Sequence, residues 1–152
     1  MQLDDAATIL SHADFFEVCD LEQRRLLAFA SERRKFRPGS IIYKSGDVPE
    51  GAHVLVSGTV ATTRDGAEDD PFLVHTEGAV LGAMALVVAK PRPVTVKAID
   101  AVETLFVPRS AFMKLAQQYP DLAARAAERI RRDLAGYLGA IETLRPKMNG
   151  KG

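Results

Sequence analysis

Two short runs carry residue types suited to holding an anion. Leu81-Gly82-Ala83-Met84-Ala85-Leu86 sets a glycine directly before a small, apolar stretch that fits a single helical turn, and Pro91-Arg92-Pro93-Val94-Thr95 places one arginine at the entry to a strand. A glycine ahead of a helical turn lets a ligand approach the backbone and aims free N–H groups at it, while a guanidinium adds a full charge and a planar fork of donors. Gly82 and Arg92 fit these two roles. An arginine in an anonymous loop would be a surface residue; its place after the Gly-Ala-Met-Ala-Leu turn and ahead of Val-Thr-Val sets Arg92 apart.

Other chemistries lack their residues. Cys19 is the only cysteine, which excludes an intrachain disulfide framework and a cysteine-ligated zinc or iron–sulfur site built from this chain alone. His12, His53 and His75 are widely spaced and never form His-x-His, so the metal site of a small catalytic barrel is not expected. The acidic run Asp65-Gly66-Ala67-Glu68-Asp69-Asp70 lacks the carboxylate spacing of a calcium loop and reads as a mobile hairpin loop. No nucleophile–base pair or phosphate-cleaving motif is present. The expectation is a non-catalytic module without metal or cofactor, in which any small molecule is a regulatory ligand.

Charge and composition narrow the partners. Twenty Lys+Arg balance twenty Asp+Glu, with a pI of about 6.8, so no overall attraction to nucleic acid or anionic membrane is expected. Arg33, Arg34, Lys35 and Arg37, and later Arg125, Arg129, Arg131 and Arg132, cluster locally and read as a solvated helix face or strand start. A chain of 152 residues with a 47% hydrophobic share fits one compact domain. The acidic N-terminus lacks the pattern of a signal peptide and no run of about 18 apolar residues occurs, so a soluble protein of the reducing cytoplasm is expected.

Several elements must position the two runs. Leu and Phe recur at helical spacing from Leu3 to Phe29, with Ser11 and Asp20 placed as N-caps. After the Pro38-Gly39 turn the texture changes: Ile41 and Tyr43, Val54 and Val56, then Val60 and Thr62 alternate between turn clusters, and strands resume at 72–75, 94–99 and 102–107. Such spacing predicts an antiparallel barrel or sandwich, interrupted once at Gly82–Val88. Beyond Val107 the period becomes helical, with Ser110 as a cap, one helix over 112–119 and a second opening at Pro120-Asp121 and running to Leu144 before Pro146.

In that last helix Ala123, Ala127, Ile130, Leu134, Tyr137, Ile141 and Leu144 form an a/d stripe. The stripe predicts a parallel pairing of two chains, with Leu122, Ala126 and Leu138 left for the chain's own core; packing of the stripe on its own barrel is the alternative. Gly136 and Gly139 weaken this helix or permit close approach.

The two runs together resemble the phosphate-binding cassette of the cyclic-nucleotide-binding superfamily, including bacterial catabolite-activator-like regulators. The Pro38-Gly39 and Gly46-Asp47 turns, the run from Val54 to Val60 and the order helix, barrel, helix extend the likeness along most of the chain. The resemblance implies an α+β, mainly β fold: an antiparallel β-roll or jelly-roll barrel with N-terminal helices and a long C-terminal dimerisation helix. It implies one domain over 1–145, with N-terminal helices over about 1–35, barrel over 36–108 and C-terminal helices over 110–145, then a tail at 146–152. It also implies a ligand cassette at Gly82, Ala83, Met84, Ala85, Arg92, Pro93, Val94 and Thr95, with Leu81, Tyr137 and Leu138 as base contacts.

Two positions depart from the pattern. Ala83 stands where relatives that bind cyclic nucleotides usually have a glutamate for the ribose 2′-hydroxyl, and Pro93 has no N–H where Ala or Ser usually supplies one. Losing those bonds would weaken a cyclic nucleotide by about two orders of magnitude or more. The resemblance therefore implies a stand-alone bacterial ligand sensor for cAMP, cGMP or another phosphorylated small molecule, acting on an unidentified protein partner. The alternative is a dimerisation scaffold with a degenerate pocket. Only seven residues follow Arg145, so a helix-turn-helix domain and direct DNA binding are not expected.

Overall fold

Asp20 opens the second N-terminal helix through a capping box: its Oδ1 accepts from Gln23 N–H at 2.8 Å, and Gln23 Oε1 accepts from Asp20 N–H at 2.9 Å. The computed structural model describes residues 3–133, in which α1 (Leu3–Ser11), a 3₁₀ helix (Asp14–Val18) and α2 (Leu21–Ala30) precede the first strand. Ser11 is no N-cap. It ends α1, its hydroxyl donating back to Thr8 O at 2.7 Å, and Ala13 precedes the 3₁₀ helix without a side-chain bond.

Eight strands follow: β1 (Glu32–Phe36), β2 (Ile41–Tyr43), β3 (Gly51–Ser57), β4 (Val60–Thr63), β5 (Phe72–Val74), β6 (Val80–Leu81), β7 (Thr95–Ala98) and β8 (Val102–Pro108). They form two antiparallel sheets of four, ordered β1-β8-β3-β6 and β2-β7-β4-β5. The expected mainly β, jelly-roll-like fold is present, but the hydrogen bonding leaves edges in both sheets and does not close them into a barrel.

Alternation along β3 shows how the layers stack. Ala52 and Val54 face the helices, in a core with Leu10, Phe16, Leu27, Phe112 and Leu122; Leu55 faces the second sheet, in a core with Val60, Leu81, Val96, Ala98 and Val102. The first sheet is thus covered on both faces, so residues 51–55 are buried without a break. Truncating a side chain as enclosed as Phe16 or Phe112 costs about 3 to 5 kcal/mol.

After β8, α3 (Arg109–Gln118) follows Pro108, which is extended and gives no side-chain cap; Ser110, expected as the cap, already lies inside the helix. A second helix covers residues 120–133 with Pro120 in its first turn, where a missing N–H costs nothing. Leu122 and Ala126 are fully buried in the helix-side core, as their place off the stripe predicted. Of the stripe, Ala123 and Ile130 are half-buried, Ile130 packing on the chain's own core, and Ala127 is exposed. Leu134, Gly136, Tyr137, Leu138, Gly139, Ile141 and Leu144 lie outside the described residues.

Candidate ligand-binding site

The loop between β2 and β3 is tied to the arginine segment by its backbone. Arg92 N–H donates to Asp47 O at 2.7 Å, Gly46 N–H donates to Arg92 O at 2.8 Å, and Ser45 N–H donates to Thr95 Oγ1 at 3.0 Å. Arg109 secures the far end of that loop, its N–H reaching Glu50 O and its Nη1 reaching Pro49 O, each at 2.7 Å. Thr95 and Arg109 therefore act as fasteners that fix where Arg92 can point.

Arg92 points inward. It is 6% exposed; Nη2 donates to Gly51 O at 2.7 Å, Nη1 reaches Gly82 O at 3.4 Å, and the guanidinium lies 3.8 Å over the Tyr43 ring. Its Nε is buried with no hydrogen-bond partner among the described residues. Burial lowers the Arg92 pKa, opposed by Tyr43 and Asp47, and burial raises that of Tyr43. A charged fork is thus held on backbone carbonyls and a ring, with donor capacity left over.

Gly82 is required at this contact. Its backbone is left-handed, φ +76°, and a Cβ there would overlap Arg92 Nη1. The 3₁₀ turn Ala83–Leu86 starts directly behind it, as the glycine-led apolar run predicted.

A β-bulge brings Tyr43 beneath Arg92. Strict alternation would put Ile41 and Tyr43 on one face, but the register shifts between them: Ile41 pairs with Lys97, whereas Tyr43 pairs with Val96. Ile41 and Lys97 are exposed; Val96 is buried between the sheets, with Tyr43 packed against that core. The same row continues through Thr62 to Phe72. At a strand spacing of about 4.8 Å, it runs about 14 Å from Tyr43 to Phe72. Phe72 is 70% exposed although it belongs to the inward-facing row.

A cavity of about 360 Å³ opens beside this arrangement, with Arg92, Tyr43, Arg34, Glu50, His53 and Phe106 among its lining. His53 is buried, with Nδ1 2.9 Å from Thr104 Oγ1. Burial first, then Arg34 and Arg92, push its pKa down to about 3, so it is neutral at pH 7. Arg34 lies 3.9 Å over the Phe106 ring, giving the cavity a second cation.

The cassette residues separate into three groups. Gly82 and Arg92 meet directly. Leu81 and Ala85 are buried, Leu81 in the inter-sheet core, and Val94 packs against that core. Met84 and Pro93 are exposed, while Ala83 lines a different cavity of about 480 Å³ with His12, Asp14, Gly78 and Arg129. Tyr137 and Leu138, expected at the base, lie outside the described residues. Tyr43, Gly51 and Arg109 were not anticipated as parts of the site; only the Gly46-Asp47 turn marked their neighbourhood.

Among the described residues no cluster of three or more His, Cys, Asp or Glu side chains is placed to hold a metal, and no helix is long and apolar enough to cross a membrane. The profile described as "Cyclic nucleotide-binding domain" matches residues 33–119. The chain is 27% identical over 104 residues to a Lysophospholipase nte1 of Aspergillus terreus, covering 67% of this chain and 7% of that one. It is 30% identical over 93 residues to a cAMP-dependent protein kinase regulatory subunit of Pyricularia oryzae, covering 61% of this chain and 24% of that one. The chain therefore spans less than a quarter of the length of these curated relatives. The Catabolite Activator Protein of Thermus thermophilus superposes with a TM-score of 0.71 at 23% identity, over 87% of this chain and 63% of that one.

Proposed function

The chain belongs to the cyclic nucleotide-binding domain family, and from that premise we propose that it is a non-catalytic regulatory module that binds a cyclic nucleotide or another phosphorylated small molecule at Arg92. The observation that carries this reading is the state of Arg92: a buried guanidinium, oriented by Gly51 O, Gly82 O and the Tyr43 ring, with no carboxylate ion-paired to it among the described residues. A charge kept out of water costs free energy unless something compensates it, and an anionic ligand would supply the opposite charge. The related kinase regulatory subunit is named as cAMP-dependent, which supports cAMP as the first ligand to test.

Ala83 and Pro93 favour weak binding or a ligand without a ribose contact. The ligand's signal would pass through the helix at 120–133. Arg125 Nε donates to Val18 O and Arg129 Nη1 donates to Asp14 O, each at 3.0 Å, joining that helix to the N-terminal 3₁₀ turn. Ala127, exposed, and Ile130, half-buried, start the surface proposed to pair two chains in the cytoplasm, the output being an unidentified protein.

The second reading, a dimerisation scaffold with a degenerate pocket, is favoured by Ala83, whose side chain offers no acceptor, and by Pro93, which has no N–H. Calorimetric titration with cAMP, cGMP and cyclic dinucleotides separates the two. Saturable heat supports the sensor; no heat at millimolar ligand leaves the scaffold.

A further inference from the structure

We propose that the Tyr43 hydroxyl is a ligand-binding donor of the Arg92 site, taking over the hydrogen bond that Pro93 cannot supply. The inference rests on the reading of Arg92 as the anion anchor, and it assigns a role to a residue outside the cassette.

Three groups converge on one point. A Cβ built on Gly82 would overlap Arg92 Nη1 and lie 3.4 Å from Tyr43 Oη. The hydroxyl therefore stands at the cassette glycine beside the guanidinium, where an anion held by Arg92 would meet both. The ring is fixed for this purpose by the bulge that turns it inward and by the cation stacked on its face.

Among the described residues the hydroxyl has no other task. No hydrogen bond of Tyr43 Oη is made among the described residues, and the oxygen is not sealed from solvent as Arg92 Nε is. Phenylalanine would fill the same space and stack on the guanidinium equally well. A phenol O–H on a largely enclosed ring usually finds a partner. Burial raises its pKa, so it remains a protonated donor at neutral pH.

The recognised chemistry is a phosphoryl oxygen carrying a negative charge. One hydroxyl and one guanidinium can bind two different oxygens, as the two free oxygens of a phosphate diester present them. The cavity of about 360 Å³ lined by Arg92 and Tyr43 has room for a ligand larger than phosphate.

The test is calorimetric titration of the wild type, Tyr43→Phe, Tyr43→Leu and the Arg92→Ala, Tyr43→Phe pair with cAMP and cGMP. Tyr43→Phe should bind about 10- to 100-fold more weakly than the wild type, as expected for a lost bond to a charged group, with its melting temperature unchanged. Tyr43→Leu should lose the stack as well and melt earlier. Wild-type binding matched by Tyr43→Phe overturns the hydroxyl's role and leaves the Arg92 site standing. No wild-type heat with either nucleotide overturns both for cyclic mononucleotides. A Tyr43→Phe loss that persists undiminished on Arg92→Ala also overturns it, since the two groups would then not share an anion.

Discussion

The guanidinium of Arg92 lies 3.8 Å over the ring of Tyr43, and the two come from segments joined by hydrogen bonds between Asp47, Gly46 and Arg92. The relationship depends on a bulge between Ile41 and Tyr43, without which the ring would face solvent. Arg92 is therefore oriented by the sheet as well as by its own loop, which would reduce the ordering cost of the proposed binding.

Gly82 tests that arrangement from the other side. Gly82→Ala should cost about 1 to 3 kcal/mol in chemical denaturation, because alanine is strained at φ +76° and its methyl displaces Arg92 Nη1. The same variant should lose anion binding more completely than it loses stability. A Gly82→Ala protein with wild-type stability would show that the turn relaxes freely.

His53 sets an acid limit on stability. Its folded pKa of about 3 lies below the ordinary value of 6.5, so between those values the unfolded chain takes up a proton that the folded chain refuses. Its contribution to stability is complete above about pH 6.5 and declines as pH falls toward 3, by up to about 1.4 kcal/mol per pH unit. Denaturation curves across this window should be flatter for His53→Gln, which retains a group able to bond Thr104. Equal slopes for the two proteins would remove His53 from the acid response.

Asp20 is predicted to matter through its backbone contacts alone. Asp20→Ala breaks the bond from Gln23 N–H to Oδ1 and loosens the buried Gln23, and should cost about 0.5 to 2 kcal/mol. Asp20→Asn should recover most of that loss. Thermal melts of the two variants check this, and an equal loss in both would point to the charge instead.

How far the sequence reached depended on whether local chemistry or tertiary pairing decided each feature. Gly82 before an apolar stretch predicted a turn, Asp20 predicted a cap, and Leu122 and Ala126 were assigned to the chain's own core; in each, the deciding contact is close in sequence or follows from helical spacing. β1 was harder: Glu32-Arg33-Arg34-Lys35-Phe36 reads as a charged surface, and it is one. It is an edge strand paired only to β8, with the Arg33–Glu103 ion pair and Arg34 over Phe106. Ser11 and Ser110 had the right chemistry for caps and each lies two residues from the observed cap position, Ala13 and Pro108. The bulge that aims Tyr43 leaves no mark in the order Ile41-Ile42-Tyr43, because the shift is fixed by the distant pairing partners Val96 and Lys97.

The central claim, that Arg92 anchors an anionic ligand, is tested most directly by titrating cAMP and cGMP into the wild type and Arg92→Ala, each first shown to be folded by its thermal melt. Saturable wild-type binding that falls at least tenfold in a folded Arg92→Ala is the predicted result. Binding of equal strength in both proteins would contradict it.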